Sequence, residues 1–398
     1  MADTRKQGFR TVSDQDSKEY QKRLREHRIK ILRRGIIAAV VVLILVGATG
    51  IYMSQRQYTD YDVRESVQRS DTKATAFMEF QGEILKYSND GAFLTDHSNE
   101  VIWNQTYEMS KPTVDICGDY LTIYDKGGKN IYILTTAGLV KAIETRLPIT
   151  QVSIAAQGTI AVLTDNQSTG LLTLYDKEGT ELVNGAIHGE KGGYPIAIAL
   201  SDDAIKLAVS MLDINGGSVK TTLAFYNFGS VGENAIDHIV SANTYDDMLI
   251  PELDFVSKDC MIAVGDTKII IFEGTQSPKE VAEILLTSDT KSIFYNEKYI
   301  GIVYNSNDTT ARHYIQAYDL SGKLMMEEAS DVEYTNIEML SSNEVCLYNR
   351  TICDIYTIHG VFKFHHEFEE ELYGVIPGGS NLNYTFILNG ITEQARLK

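Results

Sequence analysis

The chain is poor in several things, and each shortage excludes a class. Four Cys in 398 residues are too few for a disulfide-held scaffold. Six Pro and 30 Gly rule out a collagen or a proline-rich array. Basic residues are outnumbered, 36 Lys and Arg against 54 Asp and Glu, for a net charge of −18. The shortage is uneven, because residues 1–34 hold 11 basic and 5 acidic residues and leave the remainder at −24. Phosphate binding depends on Lys and Arg, so the long acidic part is a poor nucleic-acid binder. A helical period is missing over the last 320 or so residues, which speaks against a helical bundle. At 43% hydrophobic the chain can nonetheless bury a sizeable core.

One long apolar run is present. Gly35 to Met53 reads GIIAAVVVLILVGATGIYM, 19 residues without a charge. At ~1.5 Å per residue such a helix reaches ~28 Å, close to the hydrocarbon thickness of a bilayer. Arg33 and Arg34 abut its start and Tyr52 stands near its end. The positive-inside rule then places residues 1–34 in the cytoplasm and the rest outside. Val46-Gly47-Ala48 resembles a signal-peptidase site, but the n-region is too long and the apolar run exceeds the usual h-region. The expectation is an uncleaved single-pass anchor at 35–53, a basic cytoplasmic tail at 1–34 and a polar juxtamembrane stalk at 54–76. Lys18–Arg34 has no Pro or Gly; it reads first as an orientation signal, with a basic helix on anionic lipid as the alternative.

From residue 77 to 398 the texture is short runs of Ile, Val, Tyr, Leu and Phe bounded by Gly, Asn, Asp and Ser, which predicts an all-β domain. An apolar strand ending in Tyr, a tight turn and a further strand recur, clearest in LTLYDKEGTEL at Tyr175, IQAYDLSGKLM at Tyr318 and CDIYTIHGVFKF at Tyr356. Looser copies place Thr95, Leu134, Tyr226 and Phe272 at the same point, and successive markers lie 38 to 51 residues apart. Four strands with their turns need about that length, the period of a propeller blade. One block parses as inner strand 111–118, then 119–125, 129–135 and 139–147. Seven markers give seven blades, and residues 372–398 either complete the first blade or form an eighth. Eight is the preferred count, with the ring closed by its own ends so that no sheet edge is exposed. Two β-sandwich domains would not produce one period over ~300 residues.

The stretch Gly82–Leu134, with LPITQVSIAAQG at Leu147–Gly158 and the basic tail and anchor, resembles an uncharacterised family of membrane-anchored β-propeller proteins of Gram-positive bacteria, known only as a domain of unknown function. More distantly, the block from ILKYSNDG to EVIW resembles quinoprotein-type propeller repeats, in which a strand-end Trp docks between blades. Here the only Trp is Trp103. The resemblance implies a fold and a location and brings no catalytic residue.

Candidate chemistry is sparse. Cys346 and Cys353 flank the turn Asn349-Arg350-Thr351 and are placed to face each other across a hairpin, though cross-strand pairs bridge only with strain. Cys117 and Cys260 also fall in expected strands. His365 and His366 alternate to opposite faces and read as a solvated outer strand running into Glu367, Glu369, Glu370 and Glu371. Asp213-Ile-Asn215-Gly-Gly and Asp165-Asn166-Gln-Ser168 alternate oxygen ligands but lack the closing bidentate Glu of a calcium loop. There is no G-x-S-x-G elbow, and the Gly-rich pieces 126–129 and 190–193 precede no helix. No catalytic, cofactor-binding or metal residue is nominated, and no cofactor is expected. The expected role is a non-catalytic binding or scaffold module for envelope proteins or cell-wall components. The alternative is an exported dehydrogenase or hydrolase working in the propeller funnel. Carboxylates or His lining the channel would favour the enzyme, and an exposed apolar or aromatic patch on a face would favour the platform.

Overall fold

The computed structural model describes residues 14–70, 75–166, 169–188, 192–214, 217–306 and 311–398, without the side chains of 14–17, 48–54 and 188. It divides into two units, residues 1–56 and 57–398.

The first unit holds one helix, Asp14–Ser54. Its apolar half is exposed at Ile36, Ile37 and residues 40–46. Among the described residues no helix is long and apolar enough to cross a membrane. The expected span, 35–53, runs past the last described side chain at Gly47.

The second unit is all β. Among the described residues, eight four-stranded antiparallel sheets form. Blades 1 to 7 occupy residues 76–106, 112–144, 149–188, 194–246, 252–285, 290–330 and 336–367, each with its strands in chain order from the inside outward. The expected block at 111–147 is blade 2. Blade 8 takes Leu372–Pro377, Asn383–Leu388 and Ile391–Leu397 from the C-terminus, and Tyr61–Gln68 as its outermost strand. The C-terminal strands therefore make an eighth blade, and the chain's two ends close the ring.

That closure corrects the expected stalk. Residues 61–68 are not a spacer but a strand, paired with the last strand from Tyr61↔Leu397 to Gln68↔Ile391. The sequence YDVRESVQ looks unstructured because an outermost strand leaves most side chains in water and so loses its apolar alternation. The preceding residues also dock: Tyr58 N–H donates to the Lys363 carbonyl at 2.8 Å, and His365 N–H to the Tyr58 carbonyl at 3.1 Å. The outer strand of blade 7 is thus covered rather than solvated along this stretch.

All seven markers fall in third strands, from Thr95 in Gly91–Thr95 to Tyr356 in Ile352–Thr357. At each, the facing fourth strand carries one extra residue, a β-bulge. The extra residues are Ile102, Val140, Leu182, Val240, Val281, Met325 and Lys363. A bulge sharpens the local twist, which is what an outer strand needs at a blade's edge. The motif in the sequence therefore marks a backbone irregularity.

Apolar clusters fill the gaps between adjacent blades. Phe225 and Leu223 of blade 4 meet Phe255 and Phe272 of blade 5, with the Phe225 and Phe272 rings 5.1 Å apart. Trp103 packs between blades 1 and 2, beside Gly138. Among the described residues, the cluster in the gap between blades 8 and 1 has three buried apolar residues, Ile84, Ile376 and Ile387. Polar bridges supplement it: His97 binds Thr385 Oγ1 and the Gly82 carbonyl, both at 2.8 Å.

Candidate functional site

The innermost strands converge on an axial cavity of about 650 Å³, within the range of ligand sites. Its wall comes from first strands and the turns after them: Glu79 in blade 1, Asp115 and Cys117 in blade 2, Asp202 after the first strand of blade 4, Asp254 in blade 5, Tyr295 and Glu297 in blade 6. Strands alternate direction, so turns joining first to second and third to fourth strands share one face. The cavity opens on that face, and the chain enters the propeller from its rim, since Tyr61 lies beside the end of the last strand. At the turn into the second strand of blade 2, Gly118 has φ +55°, a left-handed conformation that Gly adopts freely.

The wall is acidic and holds no Lys, Arg or His. Some of its polar groups belong to the architecture. Asp115 Oδ2 accepts from Ile154 N–H of the next blade at 2.8 Å. Ser153 repeats the contact one blade on, accepting from Leu200 N–H at 3.0 Å. Gln151 makes two bonds to the Ile198 backbone, each 2.9 Å. These side chains tie neighbouring inner strands together where no backbone ladder can reach.

Asp254 has no such tie. Burial, then the like charges of Asp115, Glu252 and Asp202, push its carboxyl up to about 8. Burial raises Asp115 to about 6, against the hydrogen bonds it accepts from Ile154 and Ile116. Asp202 is raised by burial, with the Cys117 side chain as a compensating hydrogen-bond partner. Burial also lifts the Cys117 thiol, to about 12, so it stays protonated and unreactive. Tyr295 donates to Glu252 Oε1 at 2.6 Å. In an adjoining cavity between blades 7, 8 and 1, Glu338 is raised to about 7 by burial and the nearby Glu79.

Outside the cavity, the residues picked from sequence stay dispersed. Cys346 and Cys353 are both fully buried with Sγ atoms 3.8 Å apart and unbonded. They sit diagonally, since Cys346 pairs with Ile355 and Cys353 with Tyr348. His365 binds the buried Asp354 carboxylate at 2.6 Å, while His366 binds the Thr59 carbonyl at 3.0 Å, so the two do not act together. Asn215 and residues 167–168 of the two weighed calcium loops lie outside the described residues. Among the described residues no cluster of His, Cys, Asp or Glu could hold a metal ion. Sequence reasoning passed over Asp115, Asp202 and Asp254. The available signal was an acidic residue within or just after a block's first strand, where a side chain on the axial cavity meets its counterparts from other blades.

The fold defines an eight-bladed β-propeller with an acidic axial cavity. Within that class, the chain belongs to the family of unknown function DUF5711, whose model matches residues 54–397. No curated protein matches it. Among solved structures it is similar to BamB from Moraxella catarrhalis, at 13% identity and a TM-score of 0.49 over 85% of this chain and 100% of that one. It is also similar to Kluyveromyces lactis Hsv2, at 10% identity and 0.46 over 80% and 98%. The WD40 domain of Neurospora crassa Pan2 matches at 10% identity and 0.44 over 72% and 88%. Identities this low speak to chain path and not to function.

Proposed function

We propose that the protein is a membrane-anchored, extracytoplasmic binding propeller that docks a protein partner on the face where the cavity opens. The observation that carries this is an apolar rim on that face. Fourth strands begin there, and in blades 1 and 2 they present Val101, Ile102, Leu139 and Val140, each at least 40% exposed. Trp103 packed beside Gly138 brings these two strands together. Exposed apolar clusters mark interaction sites. The acidic cavity supplies a charge that a basic partner would complement. The anchor rests on the uncharged run at 35–53 and its basic flank, the expected situation in a Gram-positive envelope.

The test is site-specific photo-crosslinking in intact cells from Ile102 and Val140. One protein crosslinked in stoichiometric yield, and lost in Val101→Asp/Leu139→Asp, supports the platform. Crosslinks to wall polymer only, or none, overturn it.

One observation favours the enzyme alternative. Asp115 and Asp254 share one cavity at different acidities, the arrangement of a general acid and base. Against a hydrolase, Asp115 is committed to Ile154 as an inter-blade strut. Turnover of a glycan or peptide that is lost in both Asp115→Asn and Asp254→Asn would establish the enzyme.

A further inference from the structure

Three features of the cavity converge. Its wall carries Glu79, Asp115, Asp202, Asp254 and Glu297 and no cationic side chain. Asp254 is partly buried, and it opens onto the cavity. It has no hydrogen bond or ion pair among the described residues; only desolvation and like charges act on it. Buried carboxylates are ordinarily paired or hydrogen-bonded. The protein shows that it can do so: Lys206 and Glu344, both buried, have full sets of partners. Asp254 has no such partner, and it lines a ligand-sized space.

We propose that the cavity receives one cationic side chain, lysine or arginine, from the docked protein partner, with Asp254 as its counter-ion and Asp115, Asp202 and Glu297 supplying the surrounding negative field. This rests on the docking face proposed above and names what enters it. A bound metal ion would need several carboxylates converging on one point, and the described residues present no such group. A long side chain needs only one well-placed carboxylate at the end of an acidic funnel. Arg and Lys also carry apolar stems, which suits the Ile116, Phe255 and Val256 that share the wall.

Binding is coupled to a proton. Free, Asp254 holds its proton to about pH 8; a cation against it favours the ionised form. The groups that face it are Asp115 from blade 2, Asp202 from blade 4, Glu252 from its own strand, and Tyr295 and Glu297 from blade 6. All are acidic or neutral, so none supplies the missing charge. Occupation near neutral pH therefore releases a proton to solvent, and affinity rises with pH through about 8.

The test is calorimetric titration of the full chain in detergent with Nα-acetyl-lysine methylamide and its arginine counterpart. The neutral control is Nα-acetyl-norleucine methylamide. The expected result is saturable binding of the cationic probes and none of the control. Proton release should be read from buffers of different ionisation heat, and affinity should fall at least tenfold in Asp254→Asn. Glu297→Gln, at the exposed mouth, should weaken binding about twofold or less. Equal binding to Asp254→Asn, equal binding of the control, or uptake of Ca²⁺ in preference to both amides would overturn the proposal. If the amides fail while Ile102 still crosslinks a partner that the rim variant loses, only this inference falls. If both fail, the docking face falls with it.

Discussion

The cavity and the seam between blades 7 and 8 treat a carboxylate in opposite ways. At the seam, Glu344 takes the Lys363 ammonium on one oxygen and the Tyr384 hydroxyl on the other, at 2.6 Å, while Lys363 also donates to Tyr384 and to the Asn381 carbonyl. Every charge has a partner, and the three side chains link two blades. In the cavity, Asp254 has none. A carboxylate paired with a cation stays ionised and holds a structure in one arrangement; an unpaired one keeps its proton until something else completes it. Lys363 makes the contrast sharper. It occupies the bulge position that in blades 1 to 6 holds Ile102, Val140, Leu182, Val240, Val281 or Met325. The repeat was altered at the blade that borders the closing one.

The harshest way to break the comparison removes the closure itself. Deleting residues 57–68 strips the outermost strand from blade 8 and uncovers the edge of blade 7. The expected product aggregates through the unpaired strand Ile391–Leu397, read as loss of monomer in size-exclusion chromatography. Next, Lys363→Met leaves Glu344 buried without its cation and should cost about 3–5 kcal/mol, measured by denaturant unfolding. The double variant Lys363→Met/Glu344→Leu should recover most of that loss, because the stranded charge is gone.

Asp254→Asn should act with the opposite sign. The folded carboxyl keeps its proton to about pH 8, against 3.8 for the free group. The folded state therefore binds the extra proton, and this favours folding fully below about pH 4 and is lost as pH rises toward 8. Replacing the acid with its neutral isostere should leave stability unchanged at pH 4 and raise it by on the order of 3 kcal/mol at pH 8. A flat difference across pH would refute the protonation assigned to Asp254. The smallest effect is expected from Gln151→Ala, which removes two bonds between blades 3 and 4 and should cost about 1–3 kcal/mol. Its thermal unfolding should shift with no change in binding of the lysine amide.

Much of the architecture could be read along the chain because blades are local. Each strand pairs with its sequence neighbour, so alternation and turn residues report directly on the sheet, and the Tyr175, Tyr318 and Tyr356 markers land in third strands. Residues 61–68 escaped that reading for the complementary reason. Their partner lies more than 300 residues away, and their exposed side chains carry no pattern. The acids of the cavity escaped it too. Asp115 and Asp254 are separated by just over a third of the chain, and neither local sequence says that the two meet.

The amino-acid sequence by itself determined the repeat, the strand count per blade, the acidic balance and the apolar run at 35–53, because each follows from contacts or composition within some forty residues. Tertiary structure alone decided how the ends meet, why Lys363 breaks the bulge pattern, and that carboxylates from distant blades face one another. Closing the ring brings first strands around a common axis, and only there does the charge of one blade become the environment of another.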